Sequence, residues 1–200
     1  MSEVITIFSI ALNLFILMDS IGNVPIFISL LKEIPPKRQR VIIFRDLFIA
    51  LILIILFSFL GNSLLGLLGI SQDAVMIAGG VVLFLIALKM IFPSSHADPG
   101  LEISKHKEPF IVPLAAPLVA GPAVLAAVIV YSKQEPPLIL VAAIVLAWIA
   151  TTIILLCSTL LKKILGERGI LACERLMGLI LTLVAVQMLL HGIKSYIATL

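Results

Sequence analysis

Met18-Asp19-Ser20-Ile21-Gly22-Asn23-Val24-Pro25 interrupts an apolar run that is otherwise long enough to cross a bilayer. Further along, Ala116-Pro117-Leu118-Val119-Ala120-Gly121-Pro122 interrupts a second run in the same way. Gly and Pro at such depth free backbone groups that lipid cannot satisfy, so each break must face protein or a water-filled cavity. Paired interruptions in matching halves of a membrane chain point to a transport site.

The rest of the chain places these breaks in a membrane. Of its 200 residues 62% are hydrophobic and 12% charged, with mean hydropathy +1.25. A soluble domain is about half apolar and about a quarter charged. The composition therefore implies an integral membrane protein, residues 1–200 forming a single membrane domain. No Lys or Arg precedes the first apolar run, so that segment is expected to be retained as a span and not cleaved as a signal peptide. The 14 Lys and Arg outnumber the 11 Asp and Glu. They lie in short inter-helix loops, where they act as topology signals, and no nucleic-acid partner is expected. Cys157 and Cys173 suggest neither a disulfide framework nor a metal site.

Apolar runs of about 20 residues mark spans. Six are expected, at Val4–Leu31, Val41–Leu65, Ala74–Phe92, Phe110–Tyr131, Leu138–Leu161 and Cys173–Ile193. Pro and Gly punctuate the linkers, the longest being the polar stretch 93–109. Lys32, Lys37, Arg38, Arg40 and Arg45 flank the first linker. Lys89, Lys105 and Lys107 flank the third, and Lys162, Lys163, Arg168 and Arg175 the fifth. Only Lys133 and Lys194 fall on the other face. Basic loops stay cytoplasmic, so both termini are expected outside and both cysteines inside, where thiols stay reduced.

The spans divide three and three, with repeat one at 1–95, a cytoplasmic linker at about 93–109 and repeat two at 108–200. Residues 79–91 and 177–189 agree at five of 13 positions, aligning Gly80 with Gly178 and Lys89 with Gln187. A similar shift sets Ser20 on Pro117 and Pro25 on Pro122. Three spans per copy force the second copy to enter from the opposite face, giving two inverted three-helix repeats with broken first and fourth helices.

Pro25 suits the first turn of a helix, and Gly121-Pro122 suits the same start with Gly as cap. The half-helices are expected over Pro25–Leu31 and Pro122–Tyr131, their positive N-termini meeting at mid-membrane. Such ends accept an anion or carboxylate. Asp19 reads as the one acidic residue deep in a span, and it could take an ammonium group, a coupling H⁺ or Na⁺. Together these groups suit a small zwitterionic solute such as an amino acid. The substrate-binding candidates are Asp19, Ser20, Gly22, Asn23, Pro25, Pro117, Gly121 and Pro122. Asn13 and Gln187 are secondary candidates, more often contacts between helices. Gly79-Gly80 reads as a helix contact. His96, His106 and His191 have no partner pattern and receive no role.

Three strings, Asp19 to Phe27, Pro113 to Pro122 and Glu174 to Ile180, make the chain resemble the MarC family of bacterial inner-membrane proteins over essentially its whole length. The resemblance implies six spans in two halves, and some relatives look like transporters of small neutral amino acids such as alanine and glycine. The family usually has Asp-Pro where this chain has Asp19-Ser20. On that account Gly22 and Pro25 are expected to make the break, with the Ser20 hydroxyl offered to the cavity.

The leading expectation is thus a secondary transporter of small neutral amino acids or similar solutes in the bacterial inner membrane, uncoupled from ATP because no Walker-type loop is present. No organic cofactor is expected. An intramembrane enzyme would need paired catalytic groups at depth, which the sequence lacks. A non-transporting structural or assembly factor, or a channel, are the alternatives. The lipid bilayer is the evident partner, and a homo-oligomer stays open.

Overall fold

The computed structural model describes residues 2–31, 34–92 and 119–198. Pro117, the linker 93–109 and the first part of the fourth expected span lie outside these residues. Among those described there are seven helices and no strand. They are α1 (Ser2–Leu17), α2 (Ser20–Leu31), α3 (Pro36–Leu68), α4 (Gln72–Ile91), α5 (Pro122–Gln134), α6 (Pro137–Leu156) and α7 (Ser158–Ala198).

Local chemistry explains where the helices start and stop. Pro36, Pro122 and Pro137 each open a helix, at the position where a missing N–H costs nothing. The residues before the two Pro-Pro starts, Pro35 and Pro136, hold nearly the same extended conformation, with φ −56° in each and ψ 141° and 143°. Ser71 caps α4 by accepting the Ala74 N–H at 3.2 Å. α3 ends on Gly69 at φ 65°, with Ile70 N–H donating to the Leu65 carbonyl at 2.9 Å. This closing turn needs a left-handed residue, which glycine supplies without strain. α7 is broken at Gly166, whose φ 66° and ψ 178° only glycine adopts readily. The linker expected between Leu161 and Cys173 is therefore a single sharp turn at Gly166, and the long helix beyond it starts earlier than Cys173. Likewise α6 stops at Leu156, short of the Leu161 expected from hydropathy.

The first break falls earlier than the sequence suggests. α1 stops at Leu17 and α2 starts at Ser20, so Pro25 lies inside α2 and does not open it. The turn is made by Asp19, the only non-glycine residue at positive φ (45°) among those described. Its carboxylate then caps α2, accepting the Gly22 N–H at 3.2 Å. A side chain that both tolerates the left-handed region and caps a helix can end one helix and begin the next without proline.

Among the described residues five stretches are long and apolar enough to cross a membrane: Glu3–Ile28, Arg38–Leu68, Gln72–Ile91, Pro137–Leu156 and Arg168–Ala198. At about 1.5 Å per residue α5 covers only about 20 Å, less than a hydrocarbon core of about 30 Å. Large apolar side chains such as Leu67, Leu138 and Leu183 face outward. Ala50, Ala87, Ala143, Ala147 and Ala185 are fully or almost fully buried. Small residues between helices and large ones toward lipid are the pattern of membrane packing. α4 packs along α7, and α1 along α6. α5 sits against α3 and α4, α2 against α6 and α7, and α3 against α6. Gly79 brings α4 onto α5, where an added Cβ would stand 3.0 Å from the Ala126 Cβ.

Candidate transport site

The two breaks share one cavity. Asp19 and Asn23 from the first break, and Gly121 and Pro122 from the second, line a space of about 50 Å³ closed by Leu17, Val82, Leu83, Ile86, Ala123 and Leu181. Among the described residues no basic side chain lines it. α5 starts here, with Gly121 as its cap residue and the Gly121 carbonyl accepting the Leu125 N–H at 3.1 Å. α2 starts beside it as well, at Ser20 and not at the expected Pro25, so two helix N-termini lie beside the same space.

The candidate residues divide in what they do. Asp19 is 8% exposed, held by its bond to Gly22 N–H. A Cβ at Gly22 would run into both carboxylate oxygens of Asp19 and into the Met90 Cε, so a larger residue there would push these side-chain ends aside. Asn23 Nδ2 donates to the Met18 carbonyl at 3.0 Å, tying the turn to the new helix. Ser20 does not offer its hydroxyl to the cavity. Its Oγ donates to Thr151 Oγ1 at 2.8 Å, and Thr151 Oγ1 lies 3.4 Å from the Met18 Sδ. Ser20 therefore anchors the break to α6. Pro25 is absent from the lining, and Pro117 lies outside the described residues.

Asn13 and Gln187 belong to a second, larger cavity. It measures about 380 Å³ and is bounded by α1, α4, α5 and α7. Its polar side chains are Asn13, Tyr131, Gln134, Gln187 and His191, with Leu17, Met76, Val184 and Met188 among the apolar ones. Asn13 Nδ2 donates to the Tyr131 hydroxyl at 2.6 Å, so the residue is both a contact between helices and part of a cavity wall. Leu17, 5% exposed, is common to the two cavities and stands between them.

Sequence reasoning missed Tyr131, Gln134, His191 and Thr151. Each joins the site from a distant segment, and only Gln187 and His191, four residues apart on one helix face, carried a local signal. It also missed Asp46. That side chain is buried in α3, with Oδ1 3.0 Å from Arg45 Nε and Oδ2 without a partner. The Glu174 carboxylate lies within electrostatic reach of Asp19. Among the described residues no three His, Cys, Asp or Glu side chains are grouped as a metal ion would require.

Comparison with known proteins places this geometry in a family. The chain is 48% identical to the UPF0056 inner membrane protein YhgN of Escherichia coli (strain K12), over 98% of each chain. It is 46% identical to a UPF0056 membrane protein of Buchnera aphidicola subsp. Schizaphis graminum, again over 98% of each. A UPF0056 membrane protein of Chlamydia trachomatis serovar D is 35% identical over 95% of this chain and 94% of its own. No solved structure matches. The model of the MarC family integral membrane protein matches residues 4–197. This multi-pass membrane protein, with its two helix breaks around one cavity, belongs to the MarC family.

Proposed function

We propose that the chain is a secondary transporter of a small neutral solute of amino-acid type in the bacterial inner membrane. In this reading it is built as two inverted three-span repeats, with both termini on the non-cytoplasmic side. The observation that carries the reading is that residues from both breaks line one space in the protein interior. An intramembrane carboxylate next to unwound backbone is costly to keep and is the usual mark of a solute or ion pathway.

The helix pairings support the repeat. Exchanging the first three spans for the last three turns the α2–α6 packing into α5–α3, and the α2–α7 packing into α5–α4. All four pairings are present, and α4–α7 and α3–α6 map onto themselves. In this reading α5 is the described part of the fourth span. The name of the Escherichia coli relative puts that protein in the inner membrane, and this location agrees with the basic first and fifth linkers.

Asp19 is the group suited to the coupling H⁺ or Na⁺ or to a solute ammonium. The test is radiolabelled uptake of a panel of amino acids into proteoliposomes, with and without H⁺ and Na⁺ gradients. Saturable, gradient-dependent flux that Asp19→Asn abolishes is the expected result. Ohmic flux would indicate a channel. No flux, together with cellular function that survives Asp19→Asn, would indicate a structural or assembly role.

A further inference from the structure

We infer that the transported solute is recognised in the larger cavity, by the Asn13–Tyr131 pair, and that the Asp19 cavity is a separate compartment that it does not enter in this conformation. The inference rests on the transporter reading and adds to it the place of binding.

Size separates the two compartments. A water needs about 10–15 Å³ of such space, so the 50 Å³ around Asp19 holds a few waters or a small cation. It is too small for an amino acid. The 380 Å³ cavity lies within the range of roughly 300–1,000 Å³ seen for ligand sites. Leu17, buried and common to both walls, is the partition.

Chemistry agrees with size. Amide, phenol and imidazole groups reach the larger cavity from three different helices, and among the described residues no acid, Lys or Arg lines it. Polar groups gathered in this way toward the ends of membrane helices face water or a solute, because lipid would penalise them. The Asn13 amide donates to the phenol oxygen. That leaves the phenol proton and the Asn13 carbonyl oxygen for a ligand: one donor and one acceptor, fixed relative to each other by a 2.6 Å bond. Met76, Val184 and Met188 supply an apolar wall beside them. A small neutral molecule with adjoining donor and acceptor groups and a short apolar body fits this lining.

The test uses the full-length protein with radiolabelled L-alanine as probe, read by uptake into proteoliposomes and by thermal stabilisation in detergent. Tyr131→Phe removes one hydroxyl and keeps the ring. It is expected to raise KM about fivefold to tenfold with little change in maximal rate, and to weaken the ligand-induced rise in Tm. Asn13→Ala is expected to do the same through the other half of the pair. Asp19→Asn is expected to keep the alanine-induced rise in Tm while losing gradient-driven uptake. Unchanged KM and Tm response in both Tyr131→Phe and Asn13→Ala, alongside active wild-type uptake, would overturn this inference alone. Loss of the Tm response in Asp19→Asn, with Tyr131→Phe behaving as wild type, would move the solute to the inner compartment and overturn it too. Absence of both uptake and stabilisation in the wild type, across the panel of neutral amino acids, would remove the transporter reading and this inference with it.

Discussion

Gly80 and Gly178 occupy matching places against each other's helices. A Cβ on Gly80 would stand 3.0 Å from the Leu189 Cγ and 3.1 Å from the Ala185 carbonyl oxygen. A Cβ on Gly178 would stand 3.0 Å from the Ile91 Cγ1 and 3.1 Å from the Ala87 carbonyl oxygen. Residues 178, 185 and 189 lie the same distance along the chain from 80, 87 and 91. The α4–α7 crossing is therefore close to two-fold symmetric about these glycines. Close backbone approach of this kind is what small residues permit in membrane helices.

Equal geometry predicts equal cost. Gly80→Val and Gly178→Val should each destabilise the protein by about 1–3 kcal/mol, because neither can be relieved without separating α4 from α7. Thermal unfolding of the two variants in the same detergent measures this. A large loss at one site and none at the other would show that the crossing is not symmetric.

Gly22→Ala should be more damaging to function than to folding. The new Cβ would displace the Asp19 carboxylate from its cap and push on the Met90 methyl group. Adding Met90→Ala should recover part of the lost stability, since it removes one of the two clashes, but not the activity, since the carboxylate remains displaced. Residues that share a contact are expected to be non-additive in this way, and a double-mutant cycle on Tm and uptake resolves it.

What the sequence showed, and what it hid, follows from where each signal is stored. Composition and hydropathy identified the membrane and five of the six expected spans, because lipid imposes its demands on every residue of a span. The second break was legible down to its cap residue, since Gly121-Pro122 leaves few other conformations. The first was misplaced by several residues. Pro25 outweighed Asp19 in the reading because proline's constraint is visible in one residue. The capping of α2 by Asp19 depends on a positive φ that no local pattern announces. The partners of Ser20 and Asn13 could not be read at all. Thr151 and Tyr131 arrive through helix packing, from the other half of the chain.

Asp19 offers a way to separate charge from structure. Asparagine caps helices about as well as aspartate and tolerates the left-handed region, so Asp19→Asn should be no less stable than the wild type. Alanine does neither. Asp19→Ala should lose about 1 kcal/mol with the cap and about 1–2 kcal/mol from the positive φ. Denaturation of the two variants side by side checks the difference. An Asn variant as unstable as the Ala variant would mean that the charge itself holds the break together.

The outer end of α5 is fastened by side chains that bridge three helices. Asn62 on α3 donates through Nδ2 to the Ser132 Oγ at 2.7 Å and accepts at Oδ1 from Gln72 Nε2 of α4 at 2.8 Å. Gln72 Nε2 also reaches the Ile129 carbonyl at 3.3 Å, and the Ser132 hydroxyl donates to that same oxygen at 2.8 Å. Asn62 is thus the one residue that joins α4 and α5 through α3. Hydrogen bonds between membrane helices are worth about 0.6 kcal/mol on average and up to about 1.7. Asn62→Ala removes two and should cost about 1–2 kcal/mol. The loosening should be local, because α5 is short and its inner end is set independently by Gly121 and Pro122. Hydrogen exchange should therefore quicken at residues 129–134 while the amides of 125–127 stay protected. Uniform exchange along α5 would show that the half-helix moves as one rigid piece and that this clamp does not govern its outer end.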